Sequence, residues 1–600
     1  MNKLNKNGKD ENIIGVILTQ STTSRAVFQL RYGWERTNRI FEGMIVLIRI
    51  KDTKQRVLGR IESIVPNNEL FRSGNIFSDA RKNGIPLPSS FAQSWVLVET
   101  QILLNVDNLG AVTIPPSPGD KVFLITPEEA EEYLFKRTKN NPDIKFGHLH
   151  GYAPRPKKND GIPIPLNIDN LPMHIGIFGV TGGGKSYDTG VLIERLLSIK
   201  SLDSNGNFLG KISYPSIIID AHGDYLCYFR HAREKSFVYS SSLDFNLDNF
   251  RHFVFPKVYN KRRDQGENLR NVKRVAVNFN LLNPREISEL IVLYYHGVVG
   301  VGEKQITTLT QVLRKKKESN EKLDLNKLIS TEDGIKEIMN FIITKQKNLS
   351  GKSEEEYVYT SSPTKNALER ILTKFYDEVE YFHQLLSSPS PFKKEEYIDT
   401  IIMNGLVNII DFSAEGSASA EIKVKQFFMS YLATILFNRF RRYNIEEDQK
   451  YHLFFLIEEA QIYCPSSSYD ISASLAKEKI RAIATQGRKF GLALGIITQR
   501  PSFVDQIVLS QLNSFVIHRI AAADISLIRK IVGNLPESIL HKLTTLRTGN
   551  IIISGQMNFL PFPLWGEVVG SVERLIKPDV GEVKPSIDLY NLQNKKVIEK

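Results

Sequence analysis

The sequence predicts an α/β protein: a core built on a parallel sheet, with an N-terminal small β-barrel, a helical insertion and an extended C-terminal tail. Three patterns carry this expectation. A buried strand, HIGIFG, runs through a glycine loop, VTGGGKS, into an amphipathic segment, YDTGVLIERLLSI. Apolar, β-branched runs then alternate with helical stretches, the texture of a parallel sheet covered on both faces. Ahead of these, residues 1–140 hold short alternating runs parted by turn residues, as a small barrel or sandwich requires.

The barrel runs are IIGVIL (13–18), MIVLIRI (44–50), SWVLVETQILL (94–104) and KVFLI (121–125), with Pro115, Pro116, Pro118 and Gly119 punctuating the last third. A polar stretch carrying Pro154, Pro156, Pro163 and Pro165 reads as a linker. Residues 141–283 form the first part of the core, whose second buried strand is SIIID (216–220). Residues 284–398 are charged and helically periodic, as in REISELIVLYYHGV and KNALERILTKFYDEVEYFHQLL, and read as an insertion. The core resumes over residues 399–560 with NIID, LFFLIEE, LGIIT and FVIHRI. From residue 561 onward, Pro561, Pro563, Pro578 and Pro585 predict an extended tail.

Composition narrows the function classes. No apolar run reaches the roughly 18–20 residues that span a bilayer, and MNKLNKNGKDEN lacks the apolar centre of a signal peptide. Two cysteines, Cys227 and Cys464, make neither a disulfide framework nor a four-ligand zinc site. The expected location is therefore the cytoplasm. The 78 basic residues against 66 acidic ones leave a net charge of +12, which suits a polyanionic partner or a Lys-rich surface equally. Residues 251–274 alone contain eight basic and two acidic side chains.

The chemistry is carried by motifs. Gly179-Val-Thr181-Gly182-Gly183-Gly184-Lys185-Ser186 fits the P-loop pattern. Its backbone N–H groups converge on phosphate oxygens, the lysine offsets their charge and the serine reaches Mg²⁺, so ATP and Mg²⁺ are the expected cofactors. Apolar strand residues ending in Glu458 and Glu459 have the Walker B form: the first acid serves Mg²⁺ and the second polarises the attacking water. Adjacent acids at a strand end also suit a solvated edge. Asp220-Ala-His222-Gly-Asp224 ends another strand; it reads as a polar loop beside the phosphates, with a metal half-site as the alternative. Arg488 lies in QGRKFG, which precedes a strand ending Thr498-Gln499-Arg500-Pro501. Arginine can stabilise γ-phosphate charge and glutamine can hold the attacking water, although a solvated basic turn fits the same residues.

Taken together and in this order, IIGVILTQSTTSRAVFQL, GVTGGGKS, DAHGD, LIEEAQIY, GRKFGLAL and ITQRP resemble the HerA family of the FtsK/HerA branch of RecA-like motor ATPases. The resemblance implies a RecA-like core behind a HAS-barrel-like domain, and a homo-hexamer that drives double-stranded DNA through its pore with ATP. It implies Lys185 and Ser186 on the phosphates and Mg²⁺, Glu459 as catalytic carboxylate, Gln499 as sensor and Arg488 as a finger acting on the neighbouring subunit. Two positions depart from the family: Asp224 where glutamate is usual in DxHGE, and Gln461 where histidine is usual in EEAH. A separately encoded nuclease, or in anti-phage complexes a sirtuin-type NADase or other effector, is the implied partner on the barrel. A P-loop protein acting on something other than nucleic acid is the third possibility.

Overall fold

The computed structural model describes residues 13–32, 40–68, 82–85, 94–135, 143–154, 161–202, 208–230, 246–297, 300–344, 357–469, 474–533, 535–568 and 574–577. Pro156, the N-terminal twelve residues and the tail positions Pro578 and Pro585 lie outside them.

Strands β1 (Ile13–Ile17), β2 (Arg25–Leu30), β3 (Ile45–Arg49), β4 (Arg56–Asn67), β5 (Trp95–Asn105) and β6 (Lys121–Leu124) close into a barrel, in the order β1-β2-β5-β4-β3-β6. All its pairings are antiparallel. Alternation sends Ile14, Phe28, Val46, Ile48, Val57 and Val98 inward, where they form a core of their own.

The remaining strands are β7 (Asp143–Leu149), β8 (Pro163–Asn167), β9 (Ile175–Phe178), β10 (Ile199–Leu202), β11 (Phe208–Ile212), β12 (Ser216–Asp220), β13 (Phe250–Val254), β14 (Val272–Arg274), β15 (Ile342–Thr344), β16 (Val358–Thr360), β17 (Val407–Asp411), β18 (Leu453–Ile457), β19 (Leu492–Thr498), β20 (Ser514–Ile517), β21 (Asn550–Gly555) and β22 (Leu564–Glu567). Twelve of them make one sheet, ordered β14-β13-β17-β12-β18-β19-β9-β20-β21-β22-β7-β8. From β14 to β20 every pairing is parallel, and from β20 to β8 every pairing is antiparallel. The central strands β9, β12, β17, β18, β19 and β20 are buried along their whole length, which their unbroken apolar runs require.

Helices α1 (Lys185–Leu196), α2 (Pro256–Asp264), α3 (Pro284–His296), α4 (Glu303–Ser319), α5 (Ser362–Phe375), α6 (Ile422–Ile445) and α7 (Lys477–Phe490) are the longer ones that cover the sheet or the insertion. On one face Val191 and Leu192 of α1 pack against Ile177, Ile218, Leu456 and Ile497. On the other, Phe427 and Leu432 of α6 pack against Ile217, Ile219, Phe455 and Ile496. The strand period of two thus divides one sheet between two cores.

Three features differ from the sequence expectation in detail. The parallel sheet continues into an antiparallel wing, and Pro163 and Pro165 of the expected linker stand in its last strand, β8, where the missing N–H groups face no further strand. The segment from residue 561 is not extended throughout: β22 pairs with β21, and Arg574 to Ile576 dock on α1. The helical insertion shares the sheet's core, since Ile287, Ile291, Leu309 and Leu372 belong to the same apolar cluster as Phe427. Its entry is fixed by Asn283, which caps α3 in a reciprocal capping box with Glu286 and Pro284 at the first turn.

Candidate active site

Parallel strands deliver their motifs to one edge. β12 ends at Asp220, β18 at Ile457, β19 at Thr498 and β9 just before Gly179, so the four motifs meet at the carboxyl ends of adjacent strands. The glycine loop bends through left-handed backbone at Gly182 (φ +72°) and Gly184 (φ +105°), conformations closed to most side chains. Gly184 is also the N-cap of α1 and offers no capping side chain, which leaves the first-turn N–H groups for an anion. Lys185 is buried and its Nζ donates to Val180 O at 3.1 Å. Burial lowers its pKa, while Glu459, Glu458 and Asp224 pull the other way.

The acids divide into distinct roles. Asp220 is fully buried and both its oxygens face its own loop: they accept N–H bonds from His222 (3.3 Å), Gly223 (2.7 Å), Asp224 (3.1 Å) and Tyr225 (3.1 Å). Burial, then Asp411, pushes its carboxyl up to about 7. Glu458 accepts from Ala221 N–H at 3.0 Å, and burial followed by the charges of Asp220 and Asp224 drives its pKa well above the ordinary range. A carboxyl so crowded by other acids suits a neighbouring cation.

Glu459 sits in a cage of donors. Its backbone is left-handed (φ +48°), a costly conformation for a glutamate. Gln499 Nε2 donates to Oε1 at 2.7 Å, Gln461 Nε2 donates to Oε2, and His222 Nε2 stands 3.5 Å from Oε1. Burial would raise this carboxyl, but bonds from His222, Gln461 and Gln499 bring it below its ordinary value, so it is held as a base. The same bond and charge raise the pKa of His222. Gln499 also accepts from Thr181 Oγ1, and Gln461 from Thr498 Oγ1 at 2.8 Å. One hydrogen-bonded chain therefore joins the tip of the glycine loop to the Glu459 carboxylate.

Comparison with known proteins fits this arrangement. The family model for the central domain of the helicase HerA matches residues 144–435. The DNA double-strand break repair helicase HerA of Sulfurisphaera tokodaii is 24% identical over 595 residues, covering 96% of this chain and 99% of the relative. Its namesake from Saccharolobus solfataricus is 24% identical, covering 92% of this chain and 91% of that one. The chain is thus similar to the HerA helicases, through their central domain over residues 144–435 and along most of its length to these relatives. Among solved structures, the plasmid coupling protein TrwB in complex with ADP and Mg²⁺ aligns over 74% of this chain and 97% of its own, at 13% identity and a TM-score of 0.40.

The structure does not bring Arg488 to the site of its own chain. It is exposed in the last turn of α7, beside the start of β19 and not its end. Seven strand residues at about 3.3 Å each put it roughly 20 Å from the glycine loop of its own chain. Three side chains at the site had no role assigned from the sequence. Gln461 was visible only as a departure from the family pattern. His518, at the end of β20, is fully buried beneath the glycine loop, with its pKa pushed down to about 3 by burial and then by Lys185. Thr548 reaches the loop from the segment before β21. No short sequence pattern marks the last two.

Proposed function

We propose that this protein is an ATP-hydrolysing, double-stranded DNA translocase or helicase of the HerA type. Six subunits form a ring that works with a separately encoded nuclease or other effector docked on the barrel. The observation that carries the reading is the linkage of the glycine loop, Gln499 and Glu459 at the shared strand edge, together with HerA relatives aligned along most of the chain. Lys185 and the loop amides bind the phosphates, and Ser186 and Glu458 hold Mg²⁺, which offsets phosphate charge. Glu459 takes a proton from the attacking water that Gln499 orients. Arg488, remote from its own loop, acts on the nucleotide of the next subunit. Among the described residues no helix is long and apolar enough to cross a membrane, which suits a cytoplasmic DNA motor.

The test is ATP turnover with and without duplex DNA, beside Lys185→Ala and a mixture of Glu459→Gln with Arg488→Ala subunits. Stimulation by DNA, loss in Lys185→Ala and non-additive activity in the mixture are expected. Unchanged turnover in Lys185→Ala would end the ATPase reading, and additive mixing would end the finger in trans. Retention of a nuclease on the full-length protein supports end processing. Retention of a sirtuin-type NADase supports the anti-phage alternative.

A further inference from the structure

The glycine loop rests on side chains from outside every motif. His518 Nδ1 lies 3.1 Å from Gly183 O. Since a carbonyl only accepts, that nitrogen carries the ring proton. Thr548 Oγ1 donates to Gly182 O at 3.1 Å, and Val180 N–H donates to Arg519 O at 2.8 Å, so the loop is sewn to the ends of β20 and β21. The fit is close: a Cβ on Gly179 would stand 2.6 Å from the His518 Cβ.

A trans peptide points its C=O and the next N–H in opposite directions. Fixing the Gly182 carbonyl on Thr548 turns the Gly183 N–H inward to Val180 O, at 3.1 Å, closing the turn that also receives Lys185 Nζ. Fixing the Gly183 carbonyl on His518 turns the Gly184 N–H toward the open N-terminus of α1. We propose that His518 is a positioning residue for the nucleotide, holding the Gly183–Gly184 peptide so that its N–H faces the phosphates, with Thr548 holding the peptide before it. This rests on the reading of the loop as a phosphate cradle.

Binding of a fluorescent ATP analogue with Mg²⁺, and KM and kcat for ATP, measured on the full-length protein, test it. His518→Leu leaves a buried carbonyl without its donor and weakens binding about tenfold, equivalent to about 1.4 kcal/mol, with KM rising in step. His518→Asn, whose Nδ2 stands in for Nδ1, stays within about twofold of the wild type. Thr548 is exposed, so Thr548→Val leaves the fold intact and weakens binding about threefold. Equal losses in His518→Leu and His518→Asn would overturn the proposal, because only bulk would then matter. So would wild-type affinity in both His518→Leu and Thr548→Val. If His518→Leu does not fold, Thr548→Val and His518→Asn decide alone. A wild-type protein that binds no MgATP would sink the cradle reading and this proposal together, whereas wild-type binding with indifferent variants sinks only the proposal.

Discussion

Arg574 is the test of whether the C-terminal segment is part of the α/β core. It forms an ion pair with Glu194 of α1, Nε to Oε1 at 3.0 Å, with both side chains fully shielded from solvent. Glu194 also accepts the N–H groups of Leu575 (2.6 Å) and Ile576 (3.3 Å), and the Arg574 guanidinium reaches Tyr228 Oη at 3.3 Å. The space exists because residue 190 is glycine: a Cβ there would stand 2.1 Å from the guanidinium carbon. Removing one partner of a buried pair costs about 3–5 kcal/mol, since the other charge stays buried alone. Detachment of the segment lets water reach Glu194 and relieves that cost. At about 3 kcal/mol, Arg574→Ala then raises the detached population about 150-fold. Hydrogen exchange at Leu575 and Ile576, whose amides bond Glu194, reads this population directly and accelerates by the same factor. Gly190→Ala, which evicts the guanidinium, gives the same acceleration. Combining Arg574→Met with Glu194→Gln removes both charges at similar volume and restores most of the protection. Exchange in Arg574→Ala within about threefold of the wild type would refute the reasoning, because the pair would then contribute nothing to docking.

Two further outcomes follow from the buried polar groups. Gln461→Ala removes one donor from Glu459 and leaves the Thr498 hydroxyl without its acceptor. The kcat for ATP falls about tenfold while KM holds within about twofold, because the carboxylate is misplaced and the phosphate contacts are intact. His174 accepts Leu494 N–H at Nδ1 and faces Ala484 O through Nε2, and its pKa is depressed to about 4, chiefly by burial. A histidine kept neutral in the fold contributes stability that is full above its unfolded pKa of about 6.5 and is lost as pH falls toward 4. At pH 5 that loss is about 2 kcal/mol. Asp220, with its raised pKa, works in the opposite sense, so the measurement is a difference. Urea midpoints at pH 7.5 and 5 in the wild type and in His174→Gln show the pH-dependent loss shrinking by about that amount in the variant; identical pH dependence would refute it.

What the sequence disclosed and what it withheld follow from how far each signal travels along the chain. The strand, glycine loop and helix around Lys185 are contiguous, and their pattern is dictated by local backbone geometry, so they could be read directly. Asp220, Glu458, Glu459 and Gln499 could be placed because each closes an apolar run, and parallel strands carry such ends to one edge. His518 and Thr548 contact the loop across more than 300 residues, and neither a lone histidine nor a lone threonine after an apolar run has a spacing to recognise. The wing was hidden by its prolines. Pro163 and Pro165 argue against a central strand and say nothing against a terminal one, and Pro561 and Pro563 disguised the approach to β22. The insertion was legible as helical but not as part of the sheet's core, because periodicity names an apolar face and not the surface it meets.

The basic run at residues 251–274 shows how position in three dimensions revises a charge count. In sequence it resembles a polyanion site. In the fold it becomes β13, α2 and β14 at one end of the sheet, and much of its charge is already engaged. Arg251 donates to the backbone carbonyls of Asp248 and Phe250. Arg262 pairs with Glu415 at 3.3 Å, Arg263 with Asp264 at 3.0 Å and Arg270 with Asp248 at 3.5 Å, while Arg274 lies 4.0 Å over the ring of Tyr259. Two of these acids, Asp248 and Glu415, lie outside the run, so the local field is weaker than the count over residues 251–274 implies. Exposed pairs of this kind contribute little to stability and are screened within about 10 Å at ordinary salt. A phosphate backbone arriving here would have to displace existing carboxylate partners. At the glycine loop, by contrast, left-handed glycines and a helix N-terminus without a side-chain cap leave first-turn N–H groups open to an anion. The positive charge offered at the glycine loop is thus the partial charge of backbone amides at one helix end, which no composition records.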